Sequence, residues 1–278
     1  MRILQTITIL SAIFLLNSCG GSSQESAQSA EGDESSSAET QAPETTEVTL
    51  SDAPGSPAYE NAMLELTTPE NGAKLPSGEP VSFAYDVTNY ELMAQTPDAD
   101  SKPLANSGKG QHIHVIFNNN PYYAKYEPEF DMELEDGHYV VLSFLSRSYH
   151  ESVKNPEAFN VTQFTVGDGE PEMADLTAPH LFYSRPKGTY TGADTEEVLF
   201  DFFVVNASLS EDGYQVRVTV NGETEFMVDE WKPYVLKGLP MGENRVKIEM
   251  LDADGNLVDS PFNGEERVFT LEEAEMAS

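Results

Sequence analysis

The same pattern of alternating apolar residues runs twice through this chain, and it confines each run to one kind of fold. Leu64-Glu65-Leu66-Thr67-Thr68-Pro69 matches Leu181-Phe182-Tyr183-Ser184-Arg185-Pro186, and Val81, Phe83, Tyr85, Val87 and Asn89 match Val198, Phe200, Phe202, Val204 and Asn206 at identical spacing. Ile113, Val115, Phe117 and Asn118 match Val216, Val218, Val220 and Asn221. Gly137 with Val140, Leu142 and Phe144 matches Gly242 with Val246, Ile248 and Met250, and Gln163-Phe164-Thr165-Val166 matches Val268-Phe269-Thr270-Leu271. An apolar residue at every second position marks a strand with one face on a core, and self-similarity on this scale marks a repeated structural unit. Each copy is punctuated by Gly, Pro, Asn and Asp and has no amphipathic helical stretch, so each is expected to be a β-sandwich of roughly a hundred residues.

The turns and periodicity of both copies, with Gly137-His138-Tyr139-Val140-Val141-Leu142 opening the penultimate strand of the first, resemble bacterial immunoglobulin-like and fibronectin type III-like modules. The resemblance implies an all-β protein with two tandem immunoglobulin-like sandwiches, residues 63–167 and 179–272, and it carries no function with it. Residues 168–178 read as a linker that leaves the sandwiches room to rotate, and residues 273–278 as a tail.

The amino terminus reads differently. Met1-Arg2 is followed by an uncharged apolar run ending at Leu16-Asn17-Ser18-Cys19, too short for a membrane span and built like a signal peptide over residues 1–18. Leu16-Asn17-Ser18-Cys19 resembles the bacterial lipobox, which implies that Cys19 is acylated and anchors the chain to a membrane. Gly20 rather than Asp follows it, which by the same resemblance implies the outer membrane, with the folded part periplasmic or surface-exposed. Cys19 is the only cysteine, so no internal disulfide and no cysteine-ligated metal cluster is available. Residues 19–62 carry acidic side chains and no Lys or Arg and are expected to be a disordered acidic linker. The whole chain has 48 acidic and 15 basic residues, a formal net charge of −33, which argues against nucleic acid and anionic lipid surfaces as partners.

Residues present in one copy and missing from the other are the candidates for function. His112 and His114 alternate with Ile113, Val115 and Phe117, so they share the face turned from the core, expected to be exposed, about 7 Å apart along the strand. The second copy has Gln215 and Arg217 there. The first copy also has a long polar segment, residues 90–109, whose counterpart is short, and a loop carrying Arg147, Tyr149, His150 and Glu151, which the second copy replaces with Asp252-Ala253-Asp254-Gly255 and a Pro-containing stretch. In an immunoglobulin-like sandwich the third strand pairs antiparallel with the sixth, which would bring all three features to one pole.

Neutral imidazoles suit zinc or copper. His112, His114 and His150, with Glu151 as fourth or outer ligand, form a candidate metal set; a hydrogen-bonded polar cluster is the alternative. Arg147, with Tyr149 and Tyr122 nearby, is a candidate grip for a carboxylate, phosphate or sugar on an unidentified small-molecule or protein ligand. His138 reads as a turn residue and His180 as incidental. No Gly-x-Ser-x-Gly elbow, phosphate loop or His-Glu-x-x-His motif is present. The expected function is therefore a non-catalytic binding module of the cell envelope, with a metal-dependent enzyme using Glu151 as base, or an adhesion scaffold, as alternatives.

Overall fold

In the computed structural model, which describes residues 47–169 and 173–274, both copies fold as the alternation predicts. The chain enters with a short strand, β1 (Thr49–Asp52), whose partner comes much later. The first sandwich has one sheet of β2 (Met63–Thr68), β4 (Val81–Thr88) and β7 (Glu129–Met132). Its second sheet is ordered β3 (Lys74–Leu75), β9 (Phe159–Val166), β8 (Gly137–Ser146), β5 (His112–Phe117) and β6 (Tyr123–Lys125). The second sandwich repeats this with β10 (His180–Arg185), β12 (Val198–Val205) and β15 (Tyr234–Lys237) in one sheet. Facing it are β11 (Gly188–Thr191), β17 (Glu265–Glu272), β16 (Gly242–Leu251), β13 (Gln215–Val220) and β14 (Thr224–Val228), in that order. These are two tandem immunoglobulin-like sandwiches in an all-β chain.

The duplication extends to the turns. Asn118 and Asn221 end β5 and β13 at positive φ, 49° and 54°, a conformation asparagine tolerates because its short side chain bonds locally. Asn118 Oδ1 accepts the Val140 N–H at 2.7 Å and Asn221 Oδ1 the Arg245 N–H at 2.8 Å, so each asparagine sets the register of the pair that follows.

Each sandwich has its own core. Ile113, Val115 and Phe117 face Phe83, Val141 and Phe164 in the first; Val216, Val218 and Val220 face Phe200, Phe202 and Phe269 in the second. A third apolar cluster lies between the two. Ile116, Tyr122, Val140, Leu142 and Phe144 of the first sandwich pack against Phe182, Phe203, Val205 and Phe262 of the second, with Phe144 stacked on Phe203 at 4.9 Å between ring centroids. At about 1.5–3 kcal/mol for each large apolar side chain removed from water, this cluster ties the sandwiches firmly. The junction is therefore not a hinge. Past the undescribed residues 170–172, Ala174 and Leu176 pack on the same cluster, and Asn206 Nδ2 donates to the Leu176 and Ala178 carbonyls. His180 is buried there as well, bonded to Ser260 Oγ and to the Asp175 carbonyl at 2.8 Å each, so it is structural rather than incidental.

The expected acidic linker also ends earlier than residue 62. Thr49 to Asp52 pair with Lys237 to Tyr234 as an antiparallel edge of the second sandwich, and Val48 and Leu50 pack on its core. Alternation of Val48 and Leu50 supplies the apolar face that the surrounding acidic composition hides. Cys19 and the apolar leader lie outside the described residues, and no described helix is long and apolar enough to cross a membrane.

Candidate metal centre

The third strand of the first sandwich, β5, pairs antiparallel with β8, and His112 lies opposite Ser146, where β8 runs into the loop that carries His150. The predicted convergence is thus present: residues 90–109 lie over that loop, with the Ser107 N–H donating to the Ser148 carbonyl at 2.8 Å. Thr96 and Ser148 exchange hydrogen bonds through their hydroxyls, at 2.9 and 3.2 Å. The environment differs from the prediction. His112 and His114 do share the face turned from the first core, but that face is covered by the second sandwich, and both imidazoles are fully buried.

Burial brings the rings together. His112 Nε2 lies 2.8 Å from His114 Nε2 and 3.2 Å from His150 Nδ1, and all three nitrogens fall within 4.8 Å of one another. His112 Nδ1 donates to the Gly110 carbonyl at 2.8 Å. That bond fixes the tautomer and leaves Nε2 as a bare lone pair, the usual arrangement of a metal-ligating imidazole. A tetrahedral ion with bonds near 2.0–2.1 Å separates its nitrogen ligands by about 3.3–3.4 Å, so insertion requires the His112–His114 pair to open by about half an ångström and any pair wider than this to close.

Each ring is held from behind. Gly110 has φ +85°, and an added Cβ would meet the Met93 carbonyl and the Ala94 carbonyl oxygen, the latter at 2.5 Å; only glycine lets the chain pass there and present its own carbonyl to His112. His114 stacks on Tyr122 with centroids 3.5 Å apart and planes 13° from parallel. His150 sits at φ 69° in a tight turn closed by its own N–H to the Arg147 carbonyl at 2.9 Å.

Burial is the main cause that depresses all three imidazoles: His112 to about 4, and His114 and His150 well below their ordinary value. The Arg185 charge adds to the depression in all three, and Lys187 in His114 and His150. The cluster is accordingly neutral at pH 7, the form that ligates. Arg185 and Lys187 come from the second sandwich and were not visible from sequence, because they reach the cluster only across the interface. The Arg185 guanidinium lies 5.3 Å and Lys187 Nζ 3.9 Å from the Tyr122 ring centroid. Burial, then the Arg185 and Arg267 charges, push Lys187 down to about 8.

Several predicted roles are corrected. Glu151 does not join the histidines: its carboxylate is taken by Arg147 Nη1 at 3.0 Å and by Ser56 Oγ at 2.9 Å. Arg147 is buried and spends its guanidinium on Glu151, the Ser152 carbonyl at 2.8 Å and the Pro57 carbonyl. It braces the His150 turn and is not open to an external anion. Tyr149 and Tyr122 are buried too, Tyr149 against Leu104, Leu199 and Val235, so neither offers a stacking surface to solvent. In the second copy the equivalent of His114, Arg217, forms an ion pair with Glu249 at 2.8 Å.

No protein-family model and no curated protein matches this chain. Among solved structures, the fibronectin(III)-like modules of Clostridium thermocellum CbhA cover 78% of this chain and 97% of their own, at 12% identity and a TM-score of 0.28. The Bacteroides ovatus SGBP-B, solved in complex with a mixed-linkage heptasaccharide, covers 75% of this chain and 47% of its own, at 13% identity and a TM-score of 0.22. Trypsin-activated alpha-2-macroglobulin from Escherichia coli covers 79% and 16%, at 13% identity and a TM-score of 0.22. At scores this low the fold assignment rests on strand order and register alone.

Proposed function

We propose that this protein is a non-catalytic binding lipoprotein of the bacterial envelope, anchored through Cys19 at the outer membrane, whose ligand is one zinc or copper ion held by His112, His114 and His150. The observation that carries the reading is the approach of three imidazole nitrogens to within 4.8 Å of one another, from a strand and a separate loop, with His112 and His114 fully buried and His150 half-buried. Neutral nitrogen donors, a tautomer fixed by Gly110 and a braced turn under His150 are what a resident ion needs. The enzymatic alternative needs Glu151 as a base; its engagement by Arg147 and Ser56 favours holding over turnover.

Calorimetric titration of the full chain in detergent with zinc and with copper tests this. One tight equivalent, lost in His112→Ala and in His114→Ala, is expected. Weak binding of many ions, unchanged in these variants, would assign the signal to the acidic surface and sink the reading. Membrane fractionation tests the anchor: wild type should sediment with membranes and Cys19→Ala should be released, and equal release of both would refute it.

A further inference from the structure

Resting on the metal reading above, we infer that the ion is monovalent copper, held in a low-coordinate site that the second sandwich makes hostile to dications. Three features of the cluster point this way.

The first is the donor set. Three imidazole nitrogens converge, among the described residues no carboxylate joins them, and Glu151, beside His150 in the chain, is spent on Arg147 and Ser56. Zinc in protein sites completes four ligands, and divalent copper prefers tetragonal nitrogen and oxygen sets. A singly charged cuprous ion, by contrast, is content with two or three nitrogens.

The second is charge. Arg185 and Lys187 face the cluster from across the interface, over the ring of Tyr122 on which His114 stacks. Among the described residues no carboxylate lies within ion-pair distance of either cation. Arg185 Nη1 donates instead to the neutral hydroxyl of Tyr190 at 3.0 Å, and its Nε is buried without a partner. The repulsion between these fixed charges and a bound ion grows in proportion to the ion's charge, so a dication suffers twice what a monocation does.

The third is dryness. His112 and His114 are fully buried between two packed sheets, and the cost of moving an ion from water into such a medium scales with the square of its charge, roughly fourfold larger for a dication. In a protein with net charge −33, the acidic surface would collect dications indiscriminately. An interior cationic wall is then a means of keeping them from this one site.

The full chain, titrated without oxygen against a chromophoric cuprous chelator and, separately, against a zinc chelator and with cupric ion, tests the inference. One equivalent of cuprous ion, held at least a hundredfold tighter than zinc and lost in His112→Ala, is expected. Lys187→Met, and Arg185→Gln as a second variant, should raise zinc affinity at least tenfold while moving cuprous affinity far less. Zinc or cupric ion bound as tightly as cuprous ion, and lost in His112→Ala, would overturn the cuprous assignment and leave the metal site standing. Unchanged zinc affinity in a folded Lys187→Met and a folded Arg185→Gln would overturn the role of the cationic wall. No tight binding of any of the three ions would overturn both readings.

Discussion

Lys154, from the loop that leaves β8, places its ammonium 2.8 Å from the carboxylate of Asp201, in the middle of β12, with Asp201 fully buried and Lys154 nearly so. Asp201 interrupts an otherwise apolar strand, Val198–Val205, and its partners come from the other sandwich: Ser152 Oγ at 3.1 Å and the Ser152 N–H at 3.3 Å complete its set. Removing one member of a buried pair strands the other. Lys154→Met is expected to destabilise the protein by about 3–5 kcal/mol, and the double variant with Asp201→Leu to recover the larger part of that loss. Urea denaturation of the three proteins measures both. A single variant as stable as wild type would mean that the pair does not couple the sandwiches.

The histidine cluster gives the metal-free protein an acid weakness of predictable sign. In the unfolded chain each imidazole takes up a proton near 6.5, whereas His112 in the folded state waits until about 4 and the other two are depressed as well. Below pH 6.5 the unfolded state therefore binds more protons, and stability falls as pH drops. The slope is about 1.4 kcal/mol per pH unit for each imidazole in the window between its two values. Denaturation in chelator at pH 7, 6 and 5 should show this, with a shallower slope in His114→Ala. A bound ion should hold its affinity down through pH 6.5, because the folded cluster is still unprotonated there.

Gly110 is expected to matter more to the site than its lack of a side chain suggests. Gly110→Ala forces a Cβ against the Met93 and Ala94 carbonyls at a positive φ, which costs about 1–3 kcal/mol and moves the carbonyl that orients His112. Metal affinity should fall at least tenfold in a variant that still folds. Affinity equal to wild type would show that the Gly110 carbonyl does not set the His112 tautomer.

Proteolysis should respect β1. Protease is expected to spare Thr49–Asp52, whose backbone is paired with β15. Ser51→Pro removes the N–H that alternation from the Ala53 N–H to Pro233 carbonyl bond turns toward β15; it should cost about 1–3 kcal/mol and open residues 47–62 to cleavage. Equal protection in that variant would refute the pairing.

How much of this was legible can be traced residue by residue. Alternation and turn asparagines were enough for two sandwiches, because Asn118 and Asn221 do the same job in both copies. The pole was legible because antiparallel pairing of the third and sixth strands leaves His112 beside the His150 loop little freedom. The cover over that pole was missed, although a signal existed. Val198–Val205 is a near-continuous apolar run and Val115-Ile116-Phe117 closes β5 with three apolar residues in succession; both strands are buried on both faces, the mark of strands sandwiched twice. Periodicity tells that a second face is covered but not by what. Arg147 and Glu151 were misread because a loop can close on itself as an i,i+4 ion pair, and spacing alone does not distinguish that from a pair reaching outward. Arg185 lay outside any local pattern, since its role depends on the docking of one copy on the other.

The placement of β1 has a mechanical consequence. The chain upstream of Glu47 is continuous with a strand laid on the second sandwich, not the first, so tension arriving along it is borne first by the four paired residues of β1 against β15. These strands are antiparallel and flank an edge, so the ladder must yield before load passes through residues 53–62 to the sandwich that carries the histidines. Tension from upstream would thus be spent first on that short ladder, which acts as a sacrificial fastening ahead of the first sandwich.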